Sequence, residues 1–426
     1  MGDPAYDAPS LVSLASRTGC REGRRTGRRT NARRRRPPMA ARFTHLHLSN
    51  WRNFKRVELD LRERVFILGP NASGKTNLLD AFLFLRDIAV EGGSLVGAVR
   101  DPRRGALKHI RSLHAGFDST VVVGVEVEID GDSRRWSYQL AFQGRERRGR
   151  PFEFEIVEEV VRHGDQEILM RPNEADRDDP RLLTQTHLQQ MTQNRDFRPL
   201  AEALAAVEHV HVVPQVAKGT ARAADFARRD APGSDFIARI ARLAPGRQKR
   251  KLARIQRLLR VAVPQFSDLR LERDAEGHPH LEACFQHWRR RGVWQNEQQF
   301  SDGTLRLIGL LWALDEGSAP LLLEEPELSL HKDLVRQIPR LIAAAAERTR
   351  RQVIVSTHAE ELLGGRGVDP SEVVLLEPTN RETLVKPGTE YPELVAAARA
   401  GQPLGGLAVS ATRPGRIEQL SLEGMR

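Results

Sequence analysis

The residues best suited to chemistry in this chain of 426 residues stand at the ends of three short apolar runs. The first, Val65–Leu68, leads into Gly69-Pro-Asn-Ala-Ser-Gly74-Lys75-Thr76, after which Asn77–Ile88 carries Leu78, Leu79, Phe82, Leu83 and Leu85 for a buried helix. Strand, glycine loop, helix is the order that a phosphate-cradling loop requires. Its glycines let backbone N–H groups turn inward, and the helix N-terminus adds its positive end. Lys75 reaches the outer phosphates of a nucleoside triphosphate, and the Thr76 hydroxyl suits Mg²⁺. Gly69, Asn71, Ala72, Ser73, Gly74, Lys75, Thr76 and Asn77 are therefore the expected contacts of ATP.

The second run, Leu321–Leu323, ends in Glu324-Glu325-Pro326-Glu327. Beside a phosphate loop, Glu324 is expected near Mg²⁺ and its waters, sharing the metal with Thr76, while Glu325 polarises the attacking water as general base. Pro326 stops the strand and keeps the two carboxylates out of sheet pairing. The third run, Val353–Val355, ends in Ser356-Thr357-His358. A lone histidine is usually structural, but ligands of open α/β sheets bind beyond the carboxyl ends of the strands, where all three runs deliver their polar residues. His358 thus joins Lys75 and Glu325 as an expected catalytic group.

Holding three strand ends side by side asks for a central parallel or mixed sheet, an α/β fold of the P-loop NTPase kind. Residues 39–172 are expected to form its first lobe. There Phe43–Leu61 reads as two short strands, and Thr120–Ile129, Arg135–Phe142 and Phe152–Val161 alternate as an antiparallel subdomain. Residues 173–295 read as an inserted, mostly helical lobe, with Leu252, Ile255 and Leu259 on one side of a helix over 247–263 and two strands near 268–273 and 280–286. Residues 296–400 complete the ATPase body, and 401–426, rich in Gly, Ser, Pro and Arg, are expected to be a flexible tail.

The net charge of +11 is uneven: residues 1–38 hold ten Arg against Asp3, Asp7 and Glu22, leaving the body mildly basic. That leader has almost nothing to bury and is expected to be disordered, with translation starting at Met39. The two cysteines, Cys20 and Cys284, support neither a disulfide framework nor a cysteine zinc site. No apolar run reaches the length of a membrane span, and the reading is a cytoplasmic protein without membrane association. Asp130-Gly131-Asp132 reads as a hairpin turn and His209-Val-His211 as structural histidines on a strand face. Arg247, Lys251, Arg254 and Arg257 along one helix, and Trp288-Arg289-Arg290-Arg291 with Trp294, are the best nucleic-acid candidates, although a solvated face is the simpler account of them.

Phe300-Ser301-Asp302-Gly303-Thr304, followed by the apolar stretch Leu305–Leu314, resembles the LSGGQ-type signature of ABC ATPases in the form found in RecF-like and OLD-like members. The order of glycine loop, signature, Glu324-Glu325 and His358 is similar to theirs, and Leu48–Phe54 looks like their opening strand. Ser301 and Asp302 are also N-cap residues ahead of a buried helix, a place suited to an anion. The resemblance implies an ABC ATPase head in which two copies sandwich two ATP molecules, Lys75 of one facing Ser301, Asp302 and Gly303 of the other. It also implies a role in DNA repair or anti-phage defence, with DNA or an effector such as a nuclease encoded nearby as partner. Most ABC proteins have Asp where this chain has Glu324. The Q-loop is unplaced, since Gln139 and Gln143 fit a β-hairpin equally well. Fewer than 70 residues follow His358, too few for the nuclease domain of OLD-like proteins, so a nuclease is expected to act in trans.

Overall fold

The computed structural model describes residues 40–113, 120–145, 153–218, 235–286, 292–365 and 367–413. In chain order the first strands are β1 (Ala41–Trp51), β2 (Phe54–Asp60), β3 (Arg64–Leu68), β4 (Val121–Ile129), β5 (Trp136–Arg145), β6 (Glu153–His163), β7 (Gln166–Arg171) and β8 (Glu208–Val210). They are followed by β9 (Phe266–Arg273), β10 (Pro279–Phe285), β11 (Val293–Asn296), β12 (Leu321–Glu324), β13 (Val353–Thr357), β14 (Val373–Pro378) and β15 (Thr383–Pro387).

The central sheet has the order β15-β14-β3-β13-β12-β8, parallel throughout except for the β14–β15 pair. Its inner strands β3, β12, β13 and β14 are apolar on both faces because both faces are covered, as parallel strands require. Val65 and Ile67 join Leu322, Ile354 and Val374 on one side, while Phe66 and Leu68 join Leu321, Leu323, Val353 and Val355 on the other. The helix Lys75–Ala89 fills the first side, between this sheet and the antiparallel sheet β2-β1-β4-β5-β6-β7. Phe82 packs on Phe43 and Phe84 on Trp51 and Phe142, with ring centroids 4.8–5.4 Å apart.

A third core joins the helix Pro245–Ala262, through Leu252, Ile255 and Leu259, to β9 and β10 of a three-stranded sheet. The same cluster includes Phe300, Leu305, Ile308, Leu311 and Trp312, so this lobe is rooted on the helix Asp302–Asp315 that carries the signature.

Two expectations change. The stretch 173–295 is not one helical insertion: Leu188, Phe197, Leu200 and Leu204 pack in the first core, and β8 pairs with β12 as an edge strand of the central sheet. Three residues are too few to reveal a period of two, so only the pairing identifies the strand. Residues 405–411, expected in a flexible tail, form a helix with Leu404 and Ala408 buried. The glycine there serves close packing, since a Cβ on Gly405 would lie 2.0 Å from the Glu360 carbonyl oxygen. The Asp130-Gly131-Asp132 turn is as expected, with Gly131 at φ +86 between β4 and β5. The basic leader and Trp288–Arg291 lie outside the described residues. Among those described, no helix is long and apolar enough to cross a membrane.

Candidate functional site

Beyond Leu68 the chain turns through the loop Gly69–Gly74 and enters the helix at Lys75. Gly74 is the N-cap at φ +99, where a Cβ would strike the Asn53 amide, and Ala72 is also left-handed at φ +63. Ser73 is fully buried, whereas Asn71 and Ala72 are exposed at the loop's tip. Asn53, from the β1–β2 turn, holds the loop in shape. It donates to the Ser73 carbonyl at 2.9 Å and to the Thr383 hydroxyl at 2.7 Å, and accepts from the Asn77 amide at 2.8 Å. Nothing in the spacing of the sequence pointed to this clamp.

Lys75 is 7% exposed, and its amine donates to the carbonyls of Gly69 and Pro70 at 2.9 and 3.0 Å. Burial lowers its pKa, against the opposing charges of Glu325, Glu327 and Glu324. These bonds curl the amine over its own loop, where an incoming phosphate could replace the carbonyls as its partner.

The Thr76 hydroxyl donates to Glu324 Oε1, bringing two hard oxygen donors together from β12 and the loop helix. Burial would push the Glu324 carboxyl up, but hydrogen bonds from His209 and Thr76 and the charges of His209 and His211 outweigh it, holding it at about 2. His209 lies on β8 and His211 directly follows it, with His209 Nε2 3.4 Å from Glu324 Oε2 and His211 Nδ1 3.3 Å from the Glu324 carbonyl oxygen. Both histidines are expected from the sequence to be structural; His209 instead faces the Glu324 carboxylate and His211 its backbone carbonyl. Among the described residues no group of three or more His, Cys, Asp or Glu side chains could hold a metal ion. The two oxygen donors of Thr76 and Glu324 suit Mg²⁺, which takes one or two protein oxygens and completes its shell with phosphate and water.

Glu325 has φ +43 and donates its N–H to the Ser356 carbonyl at 2.9 Å. This left-handed step past β12 swings its carboxylate toward β13, where His358 Nδ1 lies 3.1 Å from Oε1. Glu327 sits behind the pair, 5% exposed. It accepts from the Thr357 hydroxyl at 2.5 Å and the His358 N–H at 3.4 Å, while Oε2 has no hydrogen-bond partner among the described residues. Burial raises its pKa, against those hydrogen bonds. Lys75, Thr76, Glu324, Glu325 and His358 thus come together at one edge of the sheet, as the strand pattern required.

The signature lies apart from the loop. Ser301 is exposed and caps its helix, accepting from Thr304 N at 3.1 Å, and Asp302 pairs with Lys218 at 2.7 Å. A Cβ on Gly303 would lie 2.5 Å from the Ser329 carbonyl oxygen, so glycine is needed for that close approach. The described contacts of these three residues are with Thr304, Lys218 and Ser329, not with the glycine loop. Gln139 sits in the antiparallel sheet, bonded to Glu158 at 2.7 Å, away from the strand ends. Of the nucleic-acid candidates, Lys251 and Arg254 bond to Asp315, and the Trp294 ring is covered by Arg270 at 3.9 Å.

The fold and these strand ends define an ABC-type P-loop ATPase of the RecF/SMC-like kind. Residues 64–364 match the family described as AAA domain, putative AbiEii toxin, Type IV TA system, and the chain belongs to that family. It is similar to the DNA replication and repair protein RecF of Roseiflexus castenholzii, 38% identical over 76 residues. That match spans 18% of this chain and 16% of the relative. Two solved structures share the fold at a TM-score of 0.50. One is an SMC head bound to the C-winged helix domain of ScpA, 14% identical, covering 82% of this chain and 99% of that one. The other is an SMC head with an extended coiled coil bound to the C-terminal domain of ScpA from Pyrococcus furiosus, 12% identical, covering 84% and 100%.

Proposed function

We propose that this chain binds ATP with Mg²⁺ and hydrolyses it, and that two copies close head to tail around the nucleotides. The carrying observation is the convergence of Lys75, Thr76, Glu324, Glu325 and His358 beyond three neighbouring strands of one parallel sheet. Backbone N–H groups of Gly69–Gly74 and the Lys75 amine hold the phosphates, with Asn77 supporting the loop through Asn53. Bound Mg²⁺, held by Thr76 and Glu324, supplies charge neutralisation on phosphate oxygens. Glu325 takes a proton from the attacking water, and His358 orients that carboxylate from the next strand.

The exposed Ser301 and the half-buried Gly303 at a helix N-terminus support a composite site in which they meet the phosphate held by the other copy. Because the lobe packs on this same helix, closing the site would move the lobe, making the chain an ATP-driven switch. Its setting in this reading is DNA repair or recombination, or anti-phage defence, with DNA or an effector such as a nearby-encoded nuclease as partner. A second reading, an ATP-sensing scaffold for a toxin or nuclease that never touches nucleic acid, is favoured by the tying of Lys251 and Arg254 to Asp315. DNA affinity falling steeply with salt supports the first, because phosphate contacts release counterions.

Lys75→Ala tests the core of the proposal. It removes the loop's only point charge and is expected to abolish nucleotide binding or turnover, measured with a fluorescent ATP analogue and by phosphate release. Unchanged binding and turnover would refute the assignment.

A further inference from the structure

The metal-facing carboxylate in the reading above belongs to a glutamate, which has one more rotatable bond than aspartate and sweeps a larger volume from the same Cα. Something must hold it. The parallel register of β8 on β12 pairs Leu322 with His209 and Leu323 with Val210. His209 and Glu324 then lie two positions apart along neighbouring strands and point from the same face of the sheet. The two carboxylate oxygens have separate partners: Oε1 takes the Thr76 hydroxyl, and Oε2 lies 3.4 Å from His209 Nε2. Both side chains are largely enclosed, at 14% and 18% exposure. His211 meets the carbonyl of the same residue, at 3.3 Å. The edge strand and the residue just past it therefore meet Glu324 at the oxygen farther from Thr76 and at its backbone.

We propose that His209 is a positioning residue for Glu324, holding Oε2 so that Oε1 stays with Thr76, where the longer carboxylate serves the cation in place of a shorter one. The inference rests on the Mg²⁺–nucleotide reading given above. His209 contributes no metal ligand of its own; the ring takes up the freedom that the extra methylene introduces. Hydrogen-bond donors that orient a metal-binding carboxylate act on cation affinity, and His209 makes its contact with Glu324 rather than with the phosphate loop.

The test is a Mg²⁺ titration of fluorescent-ATP-analogue binding to the full chain, with EDTA as the metal-free reference and thermal unfolding recorded for each variant. His209→Ala is expected to raise the Mg²⁺ midpoint about tenfold, at the lower end of what losing an outer partner of a metal ligand costs, with metal-free binding unchanged. His209→Gln, which restores an N–H donor, should return most of the loss. In a Glu324→Asp background the His209→Ala shift should shrink to about threefold or less, because the shorter side chain depends less on being held. Should His209→Ala unfold early, His209→Leu, which fills the space without a donor, is read on the same midpoint. A midpoint within about twofold of wild type in a folded His209→Ala or His209→Leu variant, or an equal shift in the Glu324→Asp background, overturns the positioning role. A wild-type chain whose nucleotide affinity ignores Mg²⁺ would instead overturn the metal–nucleotide reading beneath it.

Discussion

Glu325→Gln separates binding from turnover. The substitution keeps length and volume, so it preserves the left-handed backbone at φ +43 and the 2.9 Å bond to the Ser356 carbonyl. The amide oxygen can still accept from His358 at the place where Oε1 now lies 3.1 Å from Nδ1. Lys75 loses one of three carboxylate charges that oppose its desolvation, yet Glu327 and Glu324 remain. What disappears is the capacity to take a proton from water. General-base assistance contributes about 10²–10⁴-fold. At about 1.36 kcal/mol per decade this raises the barrier by roughly 2.7–5.4 kcal/mol. Steady-state phosphate release should fall by that factor while the affinity for the ATP analogue stays near wild type. If hydrolysis reopens the proposed composite site, the variant should accumulate as an ATP-bound dimer in size-exclusion chromatography with light scattering. A rate within about tenfold of wild type would refute the base assignment, and a monomer at saturating ATP would refute the head-to-tail closure.

Adding Ser301→Arg to Glu325→Gln should return the ATP-bound protein to monomer, because bulk and charge then occupy the exposed helix N-terminus. Loss of the Ser301 cap on Thr304 N–H costs only about 1 kcal/mol, so a melting curve distinguishes this from unfolding. Asp80→Asn should destabilise the fold by about 3–5 kcal/mol in denaturant titrations, since Arg104, with no exposed side-chain surface, and Arg52 lose their shared carboxylate. Burial would raise the Asp80 pKa, but the charges and hydrogen bonds of Arg104 and Arg52 outweigh it and the net shift is downward. Its stabilisation is therefore fully present above the unfolded-state value of about 3.9 and is lost as pH falls through the lower folded value. Wild type should weaken below about pH 4 by an amount that Asp80→Asn no longer shows.

The parts of the site legible in the sequence are those in which a buried parallel strand ends abruptly in polar residues. Val65–Leu68, Leu321–Leu323 and Val353–Val355 are apolar on every residue because both faces are covered, and the first polar side chain after each run is placed at the carboxyl end by that fact alone. Asn53 and Glu327 were visible as letters but not as roles, since a clamp 20 residues from Ser73 and a carboxyl hidden behind His358 exist only once the sheets are stacked. The strand β8 was illegible for a stricter reason. Three residues carry no period, and Glu208–Val210 is a strand only because β12 offers it a parallel edge. That nonlocal pairing brings His211 to a residue 113 positions later in the chain, and His209 with it. One departure from the usual ABC pattern, a glutamate at position 324, thus meets its physical counterpart in the strand that local pattern could not identify. In the proposed site a longer carboxylate at position 324 is accommodated because a neighbouring strand contributes a donor to hold it, so the length of residue 324 and the identity of residue 209 should be judged together.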